Sequence, residues 1–303
     1  MGELVQVLVY AATIGSAYAL VAFSYSLVFS TTRIINFAQG TLVVVGGYLA
    51  WWLWSGVFDR GTSMLLVVIP AVVLAAIVGL VFDLVAIEPL GDFDPTSNIA
   101  WLVTTFGAAI VVQEVVAQLI SDTGESIPDL FHSLFGWQGS VVQHVAIGPS
   151  DVVLVVATGA IVGVAAFLQA RTKVGRAFRA VAQDRQAAAL MGINPKVMVR
   201  LSFLIAGAIT GLAGILIAPN YGVRFAIGLN LGLAGFVAAV LGGLGSTSGA
   251  IVGGYAVGLV EGFVGVMSSR ADTYRPIAVF VVFVLVLTLR PTGLLGRPVV
   301  EKV

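Results

Sequence analysis

In the stretch STTRIINFAQGTLVVVGGY, residues 30–48, one cation and two amides (Arg33, Asn36 and Gln39) interrupt otherwise apolar sequence. An amide offers donors and an acceptor together. It can therefore hold a polar solute or complete a broken helical backbone, and in oil it costs free energy unless paired. Two readings stay open. Asn36, Gln39 and Gly40 form a break that lines a passage through a membrane, or Asn36 caps the next helix in an ordinary turn. Arg33 reads as an anchor at the inner surface rather than as a ligand for solute. Two carboxylates raise the same question: Glu114, beside Gln113 in GAAIVVQEVVAQLI, and Glu261 in VGLVEGF. An ionised carboxylate facing lipid is expensive, so both are expected to face the interior of a bundle. Glu114 would meet the ammonium of a zwitterionic substrate, or else bind backbone or a neighbouring polar group. Glu261 reads as interfacial or structural.

No other constellation suggests chemistry. The two histidines, His132 and His144, have no spaced partner, and the chain has no cysteine. Thr104 and Thr105 suit hydrogen bonding to their own helix backbone. No G-x-x-x-x-G-K-[ST] stretch is present to cradle phosphates, and GGLGSTSG (242–249) lacks the lysine. We expect no catalytic residue, no metal and no cofactor bound by this chain.

The elements that position these residues are set by composition. Of 303 residues, 59% are hydrophobic and 10% charged, against roughly 25% charged in soluble domains. Apolar runs long enough to cross a hydrocarbon core of about 30 Å recur, without the period-2 pattern of a barrel. This predicts an all-α polytopic transmembrane bundle forming one domain over 1–303. The expected segments are 4–29, 37–57, 64–87, 97–119, 150–170, 200–218, 228–245, 250–267 and 276–290. The short, glycine-rich pair at 228–267 permits close helix approach or an interrupted, re-entrant segment, so the expected number of crossings is eight or nine. The first segment, with an acidic rather than basic start, reads as a retained span rather than a cleaved signal.

Charge placement sets the expected topology. Residues 171–200 hold seven basic groups and one acid, Asp184. Beside transmembrane segments such a cluster marks a cytoplasmic loop rather than a nucleic-acid surface. Alternation then puts the N-terminus outside and the C-terminus, with Arg290, Arg297 and Lys302, inside. The acidic connection EPLGDFDPTSN (88–98) runs against this assignment, although acids weigh little in topology. The outer segment 121–148 is semi-polar and holds both histidines. Its LFHSLFGW would lie along the interface with Trp137 at headgroup depth.

The basic loop, 171–199, has more than charge. Residues 176–191 are rich in alanine and long straight side chains, predicting a short helix that ends before Pro195. It would present Phe178, Ala182, Arg185 and Ala189 at one-turn intervals. Its positive charge either only fixes topology, or the helix docks a cytoplasmic partner.

Within it, QAAALMG (186–192) resembles the coupling motif of ABC importer permeases, Glu-Ala-Ala, three residues, then Gly. Ala187, Ala188 and Gly192 match, and Gln186 replaces the glutamate. RIINFAQGTLVVVGGY (33–48), GRAFRAVAQDRQAAALMGINPKVMVRLSFLIAGAITGLAGIL (175–216), AAVLGGLGSTSGAIVGGYAVGLVE (238–261) and RPTGLLG (290–296) resemble, in order, the signatures of the branched-chain amino acid importer permeases of the LivH-type branch. The resemblance implies a permease subunit in a prokaryotic inner membrane. Its partners would be a second, related permease, two cytoplasmic ATP-binding subunits that use ATP and magnesium, and a periplasmic or extracellular solute-binding protein. It also implies leucine, isoleucine and valine as solutes, although urea, amides or other amino acids are handled by the same branch. Arg179, Arg185, Gln186, Ala187, Ala188 and Gly192 would couple to the ATPase, and the Asn36 region would border the path. An ATP-independent secondary transporter is the other class, but no second copy of INFAQG or of the basic loop signals inverted repeats.

Overall fold

The computed structural model describes residues 2–58, 64–91, 99–120, 124–128, 140–142, 145–267 and 271–296. His132, His144, Trp137, Arg297, Lys302 and positions 92–98 of the acidic connection lie outside these.

The chain folds as an all-α bundle: α1 (Gly2–Thr32), α2 (Gln39–Trp52), α3 (Met64–Phe82), α4 (Ala100–Leu119), α5 (Pro149–Arg171), α6 (Lys173–Gln183), α7 (Arg185–Leu190), α8 (Pro195–Tyr221), α9 (Phe225–Gly242), α10 (Thr247–Met267) and α11 (Ala271–Leu289). Two wider π-helical turns extend α2 over Leu53–Val57 and α3 over Asp83–Ile87. Among the described residues a single hairpin, β1 (Ser140–Val142) with β2 (Val145–Ile147), sits between α4 and α5. Among the described residues seven helices are long and apolar enough to cross a membrane, and two shorter apolar stretches, Ile227–Gly242 and Thr273–Leu289, accompany them.

With oil on both sides, helices gain little by burying leucine, so close packing of small residues carries the association. α1 is the central post, set against α8, α9 and α10. Gly254, Gly258 and Gly262 recur every four residues along one face of α10 and meet Ala19, Gly15 and Val7 of α1. A Cβ on Gly258 would stand 2.7 Å from the Cα of Gly15, so glycine is what lets these backbones touch. Gly79 of α3 against Gly207 of α8 repeats the device.

Polar pins hold both ends. At one, Glu261 of α10 is 6% exposed and accepts hydrogen bonds from the hydroxyls of Tyr18, at 3.0 Å, and Tyr10, at 3.3 Å. At that same end Asn220 of α8 donates to Asp151 of α5 (2.8 Å) and accepts from Ser150 (3.0 Å). At the other end Arg200 of α8 pairs with Glu88 below α3 at 2.7 Å. There too Leu294 and Leu295 donate their N–H groups to the carbonyls of Leu241 and Gly242, satisfying the open end of α9.

The basic loop departs from the single helix expected over 176–191. Asp184 leaves the helical conformation and its side chain accepts from the N–H groups of Gln186 and Ala187, both at 2.9 Å. A short acid that caps a new helix start ends the old one. The loop is therefore two helices, α6 and α7, set at an angle about Asp184.

Candidate translocation path and coupling surface

The break between α1 and α2 is built from residues 33–38. Arg33 takes a left-handed conformation, φ 60°, which turns the chain sharply after Thr32. Asn36 Oδ1 then accepts the N–H of Ala38 at 3.1 Å, a local Asx turn ahead of α2. This is turn-making of the kind the capping alternative supposed, displaced two residues from the cap position, which Ala38 occupies without a side-chain bond. The break is not at the end of the bundle. The ring of Phe236 meets both Tyr25 of α1 and Phe37 of the break, at centroid distances of 6.0 and 5.6 Å. α2 thus begins level with a point two turns before α1 ends, about 10 Å inside that end.

Its amides are buried there, Asn36 at 1% and Gln39 at 0% exposure. Among the described residues, Nδ2 of Asn36 and both polar atoms of Gln39 have no hydrogen-bond partner. Gly40 serves packing: a methyl on it would run into the backbones of Gly228 and Gly232 in α9. Arg33 points the other way and donates to the carbonyl of Ala182 at 2.6 Å. The break is thereby tied directly to the last turn of α6.

α7 closes with a Schellman motif. Gly192, φ 82°, donates to the Ala189 carbonyl, and Ile193 donates to that of Ala188, both at 3.0 Å. Asp184 and Gly192 so fix both ends of a six-residue helix that could not persist alone. Ala188 packs inward, whereas Arg179, Arg185, Gln186, Ala187 and Gly192 are exposed. Phe178, expected on the displayed face, is instead buried with Gly175 and Val181 where α6 lies on the bundle. A groove of about 620 Å³ runs between α6 and α7, lined by Ala177, Ala180, Ala187 and, at its edge, Met191.

This arrangement of nine apolar helices around a break between α1 and α2, with two short helices of the basic loop at one end, was compared with known proteins. Residues 7–289 match the family model described as branched-chain amino acid transport system / permease component. The chain belongs to that permease family. Its relatives include the high-affinity branched-chain amino acid transport system permease protein BraD of Pseudomonas aeruginosa, 33% identical over 98% of this chain and 97% of that protein. LivH of Salmonella typhimurium is 34% identical over 96% of this chain and 95% of its own. A probable LivH of Methanocaldococcus jannaschii is 28% identical over 91% and 88%. Among solved structures, PsaBC from Streptococcus pneumoniae in complex with Fab superposes with a TM-score of 0.50 at 15% identity, covering 96% of this chain and 93% of that one. That likeness concerns the fold alone.

Two features of the permease lay beyond sequence reasoning. Leu190 and Met191 end α7 as exposed apolar knobs, 89% and 83% accessible. Their signal was present in the sequence, as two large apolar residues directly before a helix-ending glycine, but only the break at Asp184 turns them outward. Glu114 is the second. It does not join Asn36 and Gln39. It lies on the exposed face of α4, where Gln118 donates to it at 2.7 Å, with Gln113 exposed beside it.

Proposed function

We propose that this permease is one of two membrane subunits in an ATP-driven importer of the branched-chain amino acids leucine, isoleucine and valine. Membership of the family and the relatives' transport of these solutes support the substrate class. A second permease, two ATP-binding subunits and an external solute-binding protein complete the assembly. The observation that carries the reading is α7: a helix capped at both ends at the basic end of the bundle, with Leu190 and Met191 exposed at its tip. Large apolar side chains exposed beside cations suit a groove on a protein partner.

On this reading the basic end is cytoplasmic, as positive residues prefer. All nine apolar helices cross, which puts the N-terminus outside and the C-terminus inside. ATP-driven closure of the partner pair moves α7 and, through Arg33 and Ala182, the break before α2. The buried amides of Asn36 and Gln39 then turn towards solute, giving two alternating arrangements of one rigid bundle. Glu114 on α4 faces the second permease rather than lipid, because a carboxylate in oil is too costly.

The test is Gly192→Trp. A Cβ at Gly192 meets no atom within 4 Å, so the ring projects outward into the docking space, and the φ of 82° adds local strain. The variant should insert and assemble with its second permease, while uptake collapses and ATP hydrolysis no longer responds to loaded binding protein. Normal uptake by correctly inserted Gly192→Trp would reject the role given to α7. Uptake assays with labelled leucine, valine, urea and amides on the unaltered complex would decide the solute separately.

A further inference from the structure

A second cavity lies under α7, away from Asn36 and Gln39. It measures about 240 Å³ and is walled by Thr32 of α1, Asp83 and Glu88 below α3, Arg185 of α7, and Lys196 and Arg200 of α8. Four elements, α1, the turn below α3, α7 and α8, converge here. Its acid is unusual. Asp83 opens the π-helical turn Asp83–Ile87 and is 2% exposed, and its Oδ1 has no hydrogen-bond partner among the described residues. A π turn within a helix often marks a working site, and an unpaired buried carboxylate is costly to keep.

The charges around it are unevenly matched. Glu88 is already satisfied by Arg200, whose Nη2 donates to both carboxylate oxygens at 2.7 and 3.0 Å. That leaves Asp83 as a buried acid in want of a donor. On the rim, Arg185 and Lys196 are cations open to solvent. Ile34, Ile87 and Val199 supply the apolar wall between the two. A ligand that satisfies all three features carries an ammonium for Asp83, an anion for the rim and an aliphatic body.

We propose that this cavity is a binding site for a compact zwitterion with a primary ammonium, a free aliphatic α-amino acid being the occupant that also fills the apolar wall. Its ligand class follows from the wall charges and stands whatever solute the importer carries. Occupancy would tether Arg185, the first residue of α7, to α3 and α8. High amino acid on this face would then restrain the docking helix and slow the ATPase. The headgroup of phosphatidylethanolamine has the same pair of charges and is the other source of that chemistry.

The experiment uses the whole transporter complex in phosphatidylcholine nanodiscs, without binding protein or ATP, and measures equilibrium binding of labelled leucine. Saturable binding is expected, weakened about tenfold or more by Asp83→Asn and to a lesser degree by Lys196→Gln. Leucinol and isocaproate, each lacking one of the two charges, should compete poorly. In a parallel arm, nanodiscs containing phosphatidylethanolamine are examined by native mass spectrometry. Retention of that lipid by the unaltered complex, lost in Asp83→Asn and with no leucine binding, would assign the site to the headgroup. If Asp83→Asn fails to assemble, Lys196→Gln on the exposed rim decides alone. Absence of both ligands up to millimolar concentration, or binding indifferent to these substitutions, overturns the proposal.

Discussion

Gln39 sits in the interior with both ends of its amide unpaired among the described residues. Leaving a buried donor or acceptor unmade costs roughly 1–3 kcal/mol. Gln39→Leu should therefore make the subunit more stable, raising its melting temperature in detergent, while uptake falls. A lower melting temperature would mean that the amide has a partner in the resting state. Glu261 is the opposite case, because its oxygens accept from Tyr10 and Tyr18. Glu261→Leu removes that acceptor and should destabilise by roughly 1–3 kcal/mol, read as a lower melting temperature. Uptake per folded molecule should stay unchanged, and a selective loss of uptake would give Glu261 a part in transport.

At the scale of elements, glycine spacing decides how closely helices sit. Gly258→Leu places a branched side chain where even a Cβ would lie 2.7 Å from Gly15 Cα. Overpacking typically costs about 1–3 kcal/mol, so α1 and α10 should separate and the yield of assembled complex should drop. Normal yield and stability would show that this crossing can widen freely. The tip of α7 makes the complementary case. Leu190→Asp and Met191→Asp touch nothing that holds the bundle, since both side chains are almost wholly exposed. Each variant should be as stable as the parent yet lose co-purification with the ATP-binding subunits. Retained co-purification would move the docking contact elsewhere on the basic loop.

For the whole molecule, α4 and α5 are the least covered of the seven long apolar helices. Apolar exposure there suits lipid, but Glu114, Gln113 and Gln118 on α4 do not. Single cysteines at 114 and on the facing helix of the second permease should cross-link in native membranes. Labelling of position 114 by a lipid-phase reagent instead would place it against the bilayer.

How much of this the sequence disclosed follows from what each feature depends on. The apolar helices and the helical character of the basic loop rest on local composition and spacing, and they were legible. The split at Asp184 was less so, since Asp is tolerated within helices and its capping geometry emerges only once α6 is laid on α5 through Gly175. The depth of the Asn36 break depends on where Phe236, two hundred residues away, meets Phe37. Glu114 was expected inside because the cost of its charge says only that it must avoid lipid, not which chain covers it. Asp83 carries no signal in the sequence, being one acid at the end of an apolar run until Arg185 and Lys196 are brought over it.

The pairing of α1 with α10 also has a consequence in time. The first helix leaves the ribosome long before its glycine-faced neighbour is made. At roughly 5–20 residues per second, the interval is on the order of tens of seconds. Throughout it, α1 displays a face of Gly15, Ser16, Ala19 and two tyrosine hydroxyls with neither Gly258 nor Glu261 to meet them. The insertion machinery must shelter that face until α10 arrives, so assembly of this bundle waits on its penultimate membrane helix.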